Sequence, residues 1–367
     1  MKKFIFLIII FILLEFISRI IVFFYNFHTA YQNKAYYSLK YNFKDYLKDY
    51  FNFQKALVER KEDSVIIHDF YNRRYYLPNF NSSVKKFSFF TNSWGMKYRQ
   101  TPVSKAAGNY RILCLGSSPT LSGSSDETTF PGILEKELRK NYSVREFEVI
   151  NAAVSGSQIL NSLMNFALDW RKLKPDMLII DHNIDDIEEV LTPFYLKSYK
   201  STNYFFTKQA YTYLKAKVGI VMLFDILSSR FFKQNKISEP PEEGLAAFET
   251  KLESLVLLSK GMGCKVVILS CGIAPERYST QEKNQLSNFY NLYFTHFTAA
   301  GALKTIEAYN RIMHKVAERN NVIFIDMSDV VPKDSAHYKD LTHRTDLGNK
   351  VFADFLAKKL AETSFLK

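Results

Sequence analysis

Arg111-Ile112-Leu113-Cys114-Leu115-Gly116-Ser117-Ser118-Pro119-Thr120-Leu121-Ser122-Gly123 is the stretch that decides how this chain is read. The apolar run 112–115 has strand length and stops at Gly116, after which small hydroxylated residues continue until a helix-like segment opens near Phe130. A strand thus delivers a serine to a loop. In an open parallel sheet such a loop lies at the carboxyl end of a strand, where backbone N–H groups and helix N-termini converge on ligands. Spacing excludes three familiar loops. A phosphate-binding loop needs Lys followed by Ser or Thr directly after its second Gly, whereas Gly123 is followed by Ser124 and Ser125. A dinucleotide fingerprint needs three closely spaced glycines, and the Gly-x-Ser-x-Gly elbow fails because Thr120 stands where its last Gly belongs.

Outward from this strand the rhythm continues. Strand-like runs follow at 146–151, 177–181, 265–270 and 322–326, with helix-like runs at 130–140, 158–173, 244–260, 302–319 and 348–362. The alternation predicts right-handed βαβ units and a parallel sheet with helices on both faces, a three-layer α/β/α architecture. Residues 191–243 break the pattern with aromatic and basic residues and the Glu239-Pro240-Pro241 turn, and read as an insertion beside the Ser118 loop; residues 274–301 read as another. No Cys-x-x-Cys pair, His-Glu-x-x-His run or other metal-ligand spacing occurs, so neither metal nor cofactor is implied.

Upstream, residues 25–98 are rich in Tyr, Phe, Lys and Asn and poor in Gly and Pro. They suggest a helical piece over 35–59 and short strands near 64–70, 74–77 and 84–91, forming a membrane-proximal stalk or small β-cap ahead of a main domain over 99–367. Residues 4–24 are apolar apart from Glu15 and Arg19, and a span of roughly 20 such residues suffices to cross a bilayer as a helix. The two charges stand four apart on one helical face and can pair. Lys2 and Lys3 precede the span, which by the positive-inside tendency leaves the N-terminus in the cytoplasm and the bulk of the chain outside. A cleaved signal peptide with its apolar core at 4–14 is the alternative, and no small-x-small cleavage site follows it.

The chain has 367 residues, 47% of them apolar, enough for a substantial core. Its formal net charge of +12 comes from scattered Lys and Arg with no nucleic-acid-binding motif, so attraction to an anionic membrane surface or glycan is the preferred reading over nucleic acid. Cys114, Cys264 and Cys271 fall in or beside strand-like runs and read as buried free thiols.

Near the other end, Tyr338-Lys339-Asp340-Leu341-Thr342-His343 occupies a loop after the fifth sheet strand and before the last helix. An Asp three residues before a His can orient the imidazole and stabilise it once protonated, while the second ring nitrogen faces a serine. With Ser118 at the tip of the first strand, Asp340 and His343 complete an ordered Ser, Asp, His constellation for nucleophilic catalysis.

At this point the chain resembles the SGNH, or GDSL-type, hydrolase family, over most of residues 90–362. Thr91-Asn92-Ser93-Trp94-Gly95 is similar to the lead-in of membrane-anchored bacterial members. Leu115-Gly116-Ser117-Ser118 resembles the first family block, with Ser118 at the nucleophile and Ser117 where Asp is common. Asn151-Ala152-Ala153-Val154-Ser155-Gly156 resembles the second, whose Gly lends a backbone N–H to the oxyanion hole, and Asp340 with His343 match the last. The third block departs. The family's Gly-x-Asn-Asp falls on Asn183-Ile184-Asp185-Asp186, so Asp185 takes the place of the Asn oxyanion donor, and Asn183, in place of the Gly, is a conceivable substitute. An ionised carboxylate beside a developing oxyanion repels it, and losing one donor costs about 10² to 10³ in rate. His182 beside this block reads as a solvent-facing loop histidine, and the remaining histidines receive no role.

What the resemblance implies is a flavodoxin-like sheet carrying a serine ester hydrolase. With the anchor, it becomes an esterase or deacetylase on the outer side of the cytoplasmic membrane, acting on an acylated envelope glycan or lipid. Two alternatives stand beside it: an O-acyltransferase using the same Ser118, with 191–243 as a lid, and a non-catalytic glycan-binding or assembly protein with a degenerate oxyanion hole.

Overall fold

A computed structural model describes residues 10–21, 24, 66–68, 73–76, 78–79, 81–84, 87–142, 146–191, 223, 236–273, 296–363 and 366. The chain divides into two compact units, one of residues 1–61 and 197–235, the other of residues 62–196 and 236–367. In the first, residues 10–21 and 24 are helical, and Arg19 Nε bonds Glu15 Oε1 at 2.8 Å, the pairing that their spacing predicts. Around them Phe11, Ile12, Leu13, Phe16, Ile17 and Ile20 are exposed. Among the described residues no helix is long and apolar enough to cross a membrane; the remainder of the expected 4–24 span lies outside the described residues, as do the expected helix at 35–59 and most of the two insertions.

The second unit opens with two small antiparallel ribbons: β1 (Ile66–His68) on β2 (Arg74–Tyr76), and β3 (Asn81–Val84) on β4 (Phe87–Phe90), with Val84 opposite Phe87. A single strand over 84–91 was expected there. Asn81-Ser82-Ser83 has turn composition, and its strand conformation comes from pairing with the neighbouring aromatic strand rather than from intrinsic preference.

The main sheet follows: β5 (Tyr110–Gly116), β6 (Phe147–Asn151), β7 (Met177–Asp181), β8 (Lys265–Leu269) and β9 (Ile323–Ile325), all parallel and ordered β6-β5-β7-β8-β9. The helices are α1 (Ser118–Leu121), α2 (Phe130–Asn141), α3 (Ile159–Leu168), α4 (Glu242–Gly261), α5 (Ala299–Arg319) and α6 (Asp346–Ala361). Alternate residues of each strand enter opposite cores. Leu113, Leu115, Leu178 and Ile180 pack with Ile159 of α3, Leu252 of α4 and Met313 of α5. Ile112, Cys114, Met177 and Ile179 pack with Leu134 of α2 and Leu356 of α6. Burial on both sides is why these strands read as unbroken apolar runs.

Two boundaries differ from expectation. The helix foreseen over 158–173 stops at Leu168; Asp169, salt-bridged to Arg73 and Lys172, breaks it, and Trp170–Leu173 continues as a 3₁₀ turn that buries Trp170 and Leu173. The compact unit of the sheet begins at residue 62 rather than 99. Tyr76 and Met96 are buried in the same core as β5 and β7, so the upstream ribbon is part of this unit. Asn92 Oδ1 accepts the N–H groups of Trp94 and Met96, and Gly95, at φ +69°, runs so close to β2 that a Cβ would lie 2.1 Å from the Tyr76 carbonyl oxygen.

Candidate active site

Sheet order reverses at β5: the chain leaves β5 for β6 on one side and crosses back to β7 on the other. The carboxyl ends of β5 and β7 therefore border the crevice where parallel sheets bind ligands. β5 ends at Gly116, where a Cβ would fall 2.0 Å from Thr120 Oγ1 and 2.9 Å from the Asp181 carbonyl oxygen, so glycine is what lets α1 and β7 close on the strand end. Thr120 Oγ1 in turn donates to Asp181 Oδ2 of β7 at 2.7 Å, and Ser118 starts α1 half-buried, open to the crevice.

His343 Nε2 lies 2.9 Å from Ser118 Oγ, and His343 Nδ1 lies 2.7 Å from Asp340 Oδ2. Asp340 uses its other oxygen to accept the backbone N–H groups of Thr342 and His343, at 2.9 and 2.8 Å. Burial pushes this carboxyl's pKa up, but the bonds and charge of His343 and the two N–H groups outweigh it, and the pKa settles below the ordinary value. Asp340 is thus a carboxylate that fixes the imidazole tautomer, with the Nδ1 proton facing Asp340 and Nε2 open to accept from serine.

Arg344, next to His343 and buried, holds the two halves of the site together. Its Nη2 donates to the Pro119 carbonyl at 3.2 Å and lies 3.7 Å from Asp181 Oδ2, its Nε donates to Asn349 Oδ1 at 3.1 Å, and its guanidinium sits 4.0 Å over the Phe352 ring.

In the turn after β6, Gly156 has φ +65°, and a Cβ there would come within 3.0 Å of Arg74 Nη2. The guanidinium of a β2 residue therefore covers the Gly156 turn. Tyr76, two residues on, accepts the Ser155 N–H through its hydroxyl at 3.1 Å. Asp185 lies in the first turn of a 3₁₀ helix over Ile184–Leu191. Its carboxyl is bonded by the Ser117 side chain, and burial raises its pKa above the ordinary value against the lowering effects of Ser117, His343 and Arg74. The Asp185 carbonyl accepts from Gln158 Nε2 at 3.3 Å, and the neighbouring Asp186 accepts the Ile159 N–H at 2.9 Å, so the start of α3 and the turn after β7 are bolted to each other.

Asn183 corrects an expectation. Its amide turns away from the crevice and donates to Asn310 Oδ1 at 2.9 Å and to the Ile306 carbonyl at 3.3 Å, both on α5, because the turn after β7 packs onto that helix. His182 corrects another: it is buried, with Nε2 2.7 Å from Ser162 Oγ and Nδ1 3.8 Å from Asp186 Oδ2, and burial lowers its pKa to about 3, leaving it neutral. The structure thus joins Ser118, His343 and Asp340 in one hydrogen-bonded relay, sets Gly156 against Arg74, and turns Asn183 onto α5. Arg74 and Arg344 were not foreseen. Arg344 had a usable signal, an arginine directly after the candidate base, whereas Arg74 sits in a stretch with no motif. Among the described residues no cluster of three or more His, Cys, Asp or Glu could hold a metal ion.

No family model and no curated protein matches the chain. Solved structures similar to it include a variant of an acetylxylan esterase from Geobacillus stearothermophilus, at 15% identity over 72% of this chain and 99% of that one, with a TM-score of 0.44. An α/β hydrolase from the metagenome of Lake Arreo matches at 15% identity over 71% and 99%, with a TM-score of 0.42. A GDSL-like lipase from Bacteroides thetaiotaomicron matches at 13% identity over 69% and 88%, with a TM-score of 0.39.

Proposed function

We propose that this chain is a serine ester hydrolase of the SGNH type, an esterase or deacetylase that is anchored by residues 4–24 and acts outside the cytoplasmic membrane on an acylated envelope glycan or lipid. The observation that carries the reading is the hydrogen-bonded relay Ser118–His343–Asp340, with 2.9 and 2.7 Å links, at the mouth of the β5–β7 crevice. Support for the location comes from Lys2, Lys3 and the apolar run that follows them.

In the first half-reaction Ser118 Oγ bonds to the ester carbonyl carbon while His343 Nε2 takes the hydroxyl proton, and the carbonyl π pair moves onto oxygen. Backbone N–H groups at Ser118 and Gly156 face that oxyanion, with the Arg74 guanidinium behind Gly156. Collapse breaks the bond to the alkoxide, which leaves with the proton from His343. Water then repeats the cycle on the acyl-serine, His343 taking its proton and returning one to Ser118 as the acid departs.

Ser118→Ala tests the assignment. Hydrolysis of short-chain nitrophenyl esters by the variant is expected to fall to the buffer rate, with the melting temperature preserved. Turnover equal to wild type would remove Ser118 from the mechanism. Asp185 favours a second reading, a non-catalytic acyl-glycan binder, and glycan binding without turnover in wild type would select it.

A further inference from the structure

The helix that carries the nucleophile cannot place itself. α1 is a single turn, Ser118–Leu121, and Ser117 at its N-cap makes no side-chain cap bond among the described residues. A helix this short has no stability of its own, so the position of Ser118 is set by what grips the turn from outside. The residues directly after the nucleophile are where the grip falls. The Pro119 carbonyl accepts from Arg344 Nη2 at 3.2 Å, and Thr120 Oγ1 donates to Asp181 Oδ2 at 2.7 Å. Those same atoms, Arg344 Nη2 and Asp181 Oδ2, stand 3.7 Å apart, with the side chains 4% and 10% exposed. The contacts close a ring that runs from Pro119 and Thr120 on α1 through Asp181 at the end of β7 to Arg344, one residue after the base His343. Both charged members are tied to rigid elements. Asp181 pairs with Gly116 in the sheet, while Arg344 Nε donates to Asn349 Oδ1 at 3.1 Å and its guanidinium lies 4.0 Å over Phe352, both on α6. Attraction between charges this buried is weakly screened, so it draws the α1 turn and the His343 segment together.

We propose that Asp181 and Arg344 are positioning residues of this site: acting through α1 and the base segment, the pair sets the 2.9 Å contact between Ser118 Oγ and His343 Nε2, and with it the rate at which the serine attacks. This rests on the hydrolase reading. A displacement of about 1 Å at a reacting contact can cost about 10² in rate. Because both side chains are buried, loss of the pair falls on kcat and leaves KM little changed.

The test compares the full chain with Asp181→Asn, Thr120→Val, their double variant, Arg344→Lys and Arg344→Met. It reads kcat and KM for nitrophenyl acetate against pH, the rate of inactivation by a fluorophosphonate that labels a reactive serine, and the folded fraction by circular dichroism. Asp181→Asn removes the charge and keeps an acceptor for Thr120; Thr120→Val removes the hydroxyl and keeps the shape, and it decides the matter where Asp181→Asn fails to fold. Each is expected to lower kcat and the inactivation rate by about tenfold to 10²-fold. The double variant falls no further than the worse single one, because both break the same ring. The pH at which the rate rises stays that of wild type, since Asp340 and His343 are intact, and the plateau alone drops. Arg344→Lys recovers part of the rate lost in Arg344→Met. Wild-type kcat and inactivation in Thr120→Val and in folded Asp181→Asn overturn the proposal, as do losses that multiply in the double variant or that merely equal the fraction unfolded. Full turnover in Ser118→Ala strikes the hydrolase reading instead, whereas an inactive Ser118→Ala beside unimpaired ring variants strikes the pair alone. A wild type that neither turns over ester nor takes the label overturns both.

Discussion

Asp340 stands three residues before His343, and this spacing lets one carboxylate perform two tasks. Oδ1 folds the loop by accepting the Thr342 and His343 N–H groups, and Oδ2 orients the imidazole. Asp340→Asn preserves the first task, since an amide oxygen still accepts the backbone N–H groups, but presents an NH₂ or a poorer acceptor to Nδ1 and spoils the tautomer. Its kcat is expected to fall about 10³- to 10⁴-fold with little change in melting temperature, whereas Asp340→Ala loses both; equal melting losses in the two variants would deny the division of labour. Because the folded-state pKa is depressed, the carboxylate's contribution to stability is complete above the ordinary value of 3.8 and drains away as pH falls through the folded one. Ser118, Asp340 and His343 were legible because each is marked locally, by a strand ending in glycine or by a short acid-to-histidine spacing. Arg74 and the Ser117–Asp185 bond were not, since residues far apart in sequence meet only after β2 and β7 have been placed.

At the level of elements, α3 and the turn after β7 are held together by a buried polar joint. Ser162 meets His182, the Ile159 N–H meets Asp186, and the Tyr309 hydroxyl from α5 donates to the Asp186 carbonyl at 3.0 Å. This joint holds the titratable groups His182 and the Asp186 carboxyl, 3.8 Å from the imidazole Nδ1, and His182 is the one whose titration reaches toward neutral pH in the unfolded chain. Its folded pKa of about 3 lies below the ordinary 6.5, so the unfolded chain takes up a proton first as the solution is acidified. Stability is therefore full above pH 6.5 and declines as pH falls from there toward about 3, by a few kcal/mol in all. His182→Gln keeps a bond to Ser162 and cannot charge, so its melting temperature is expected to decline less steeply across that window; identical slopes by calorimetry would show that His182 does not control the acid limb. The five sheet strands were readable because burial on both faces concentrates apolar residues within them. By contrast β3 is Asn-Ser-Ser-Val, which carries no such mark, and the end of α3 is decided by the distant Arg73 meeting Asp169.

For the molecule as a whole, the division between the N-terminal segment and the unit that holds the sheet is the point at which composition misleads. Residues 62–98 share the aromatic and basic character of the segment before them, yet Tyr76 and Met96 are 3% and 1% exposed in the core around β5 and β7, and Arg74 reaches Gly156. Burying each of two such side chains is worth about 1.5 to 3 kcal/mol, comparable with a large share of a domain's net stability. A fragment beginning at residue 62 keeps these contacts; one beginning at 99 opens the core and uncovers the Gly156 turn. The shorter fragment is expected to be insoluble or to melt far lower and to lose ester turnover, while the fragment from 62 retains the full chain's kcat and no longer floats with phospholipid vesicles. Calorimetry, ester hydrolysis and vesicle flotation on the three proteins check this together. Wild-type stability and rate in the fragment from 99 would return residues 62–98 to the role of a spacer, and flotation of the fragment from 62 would move the membrane contact out of the apolar N-terminal run and into the catalytic unit itself.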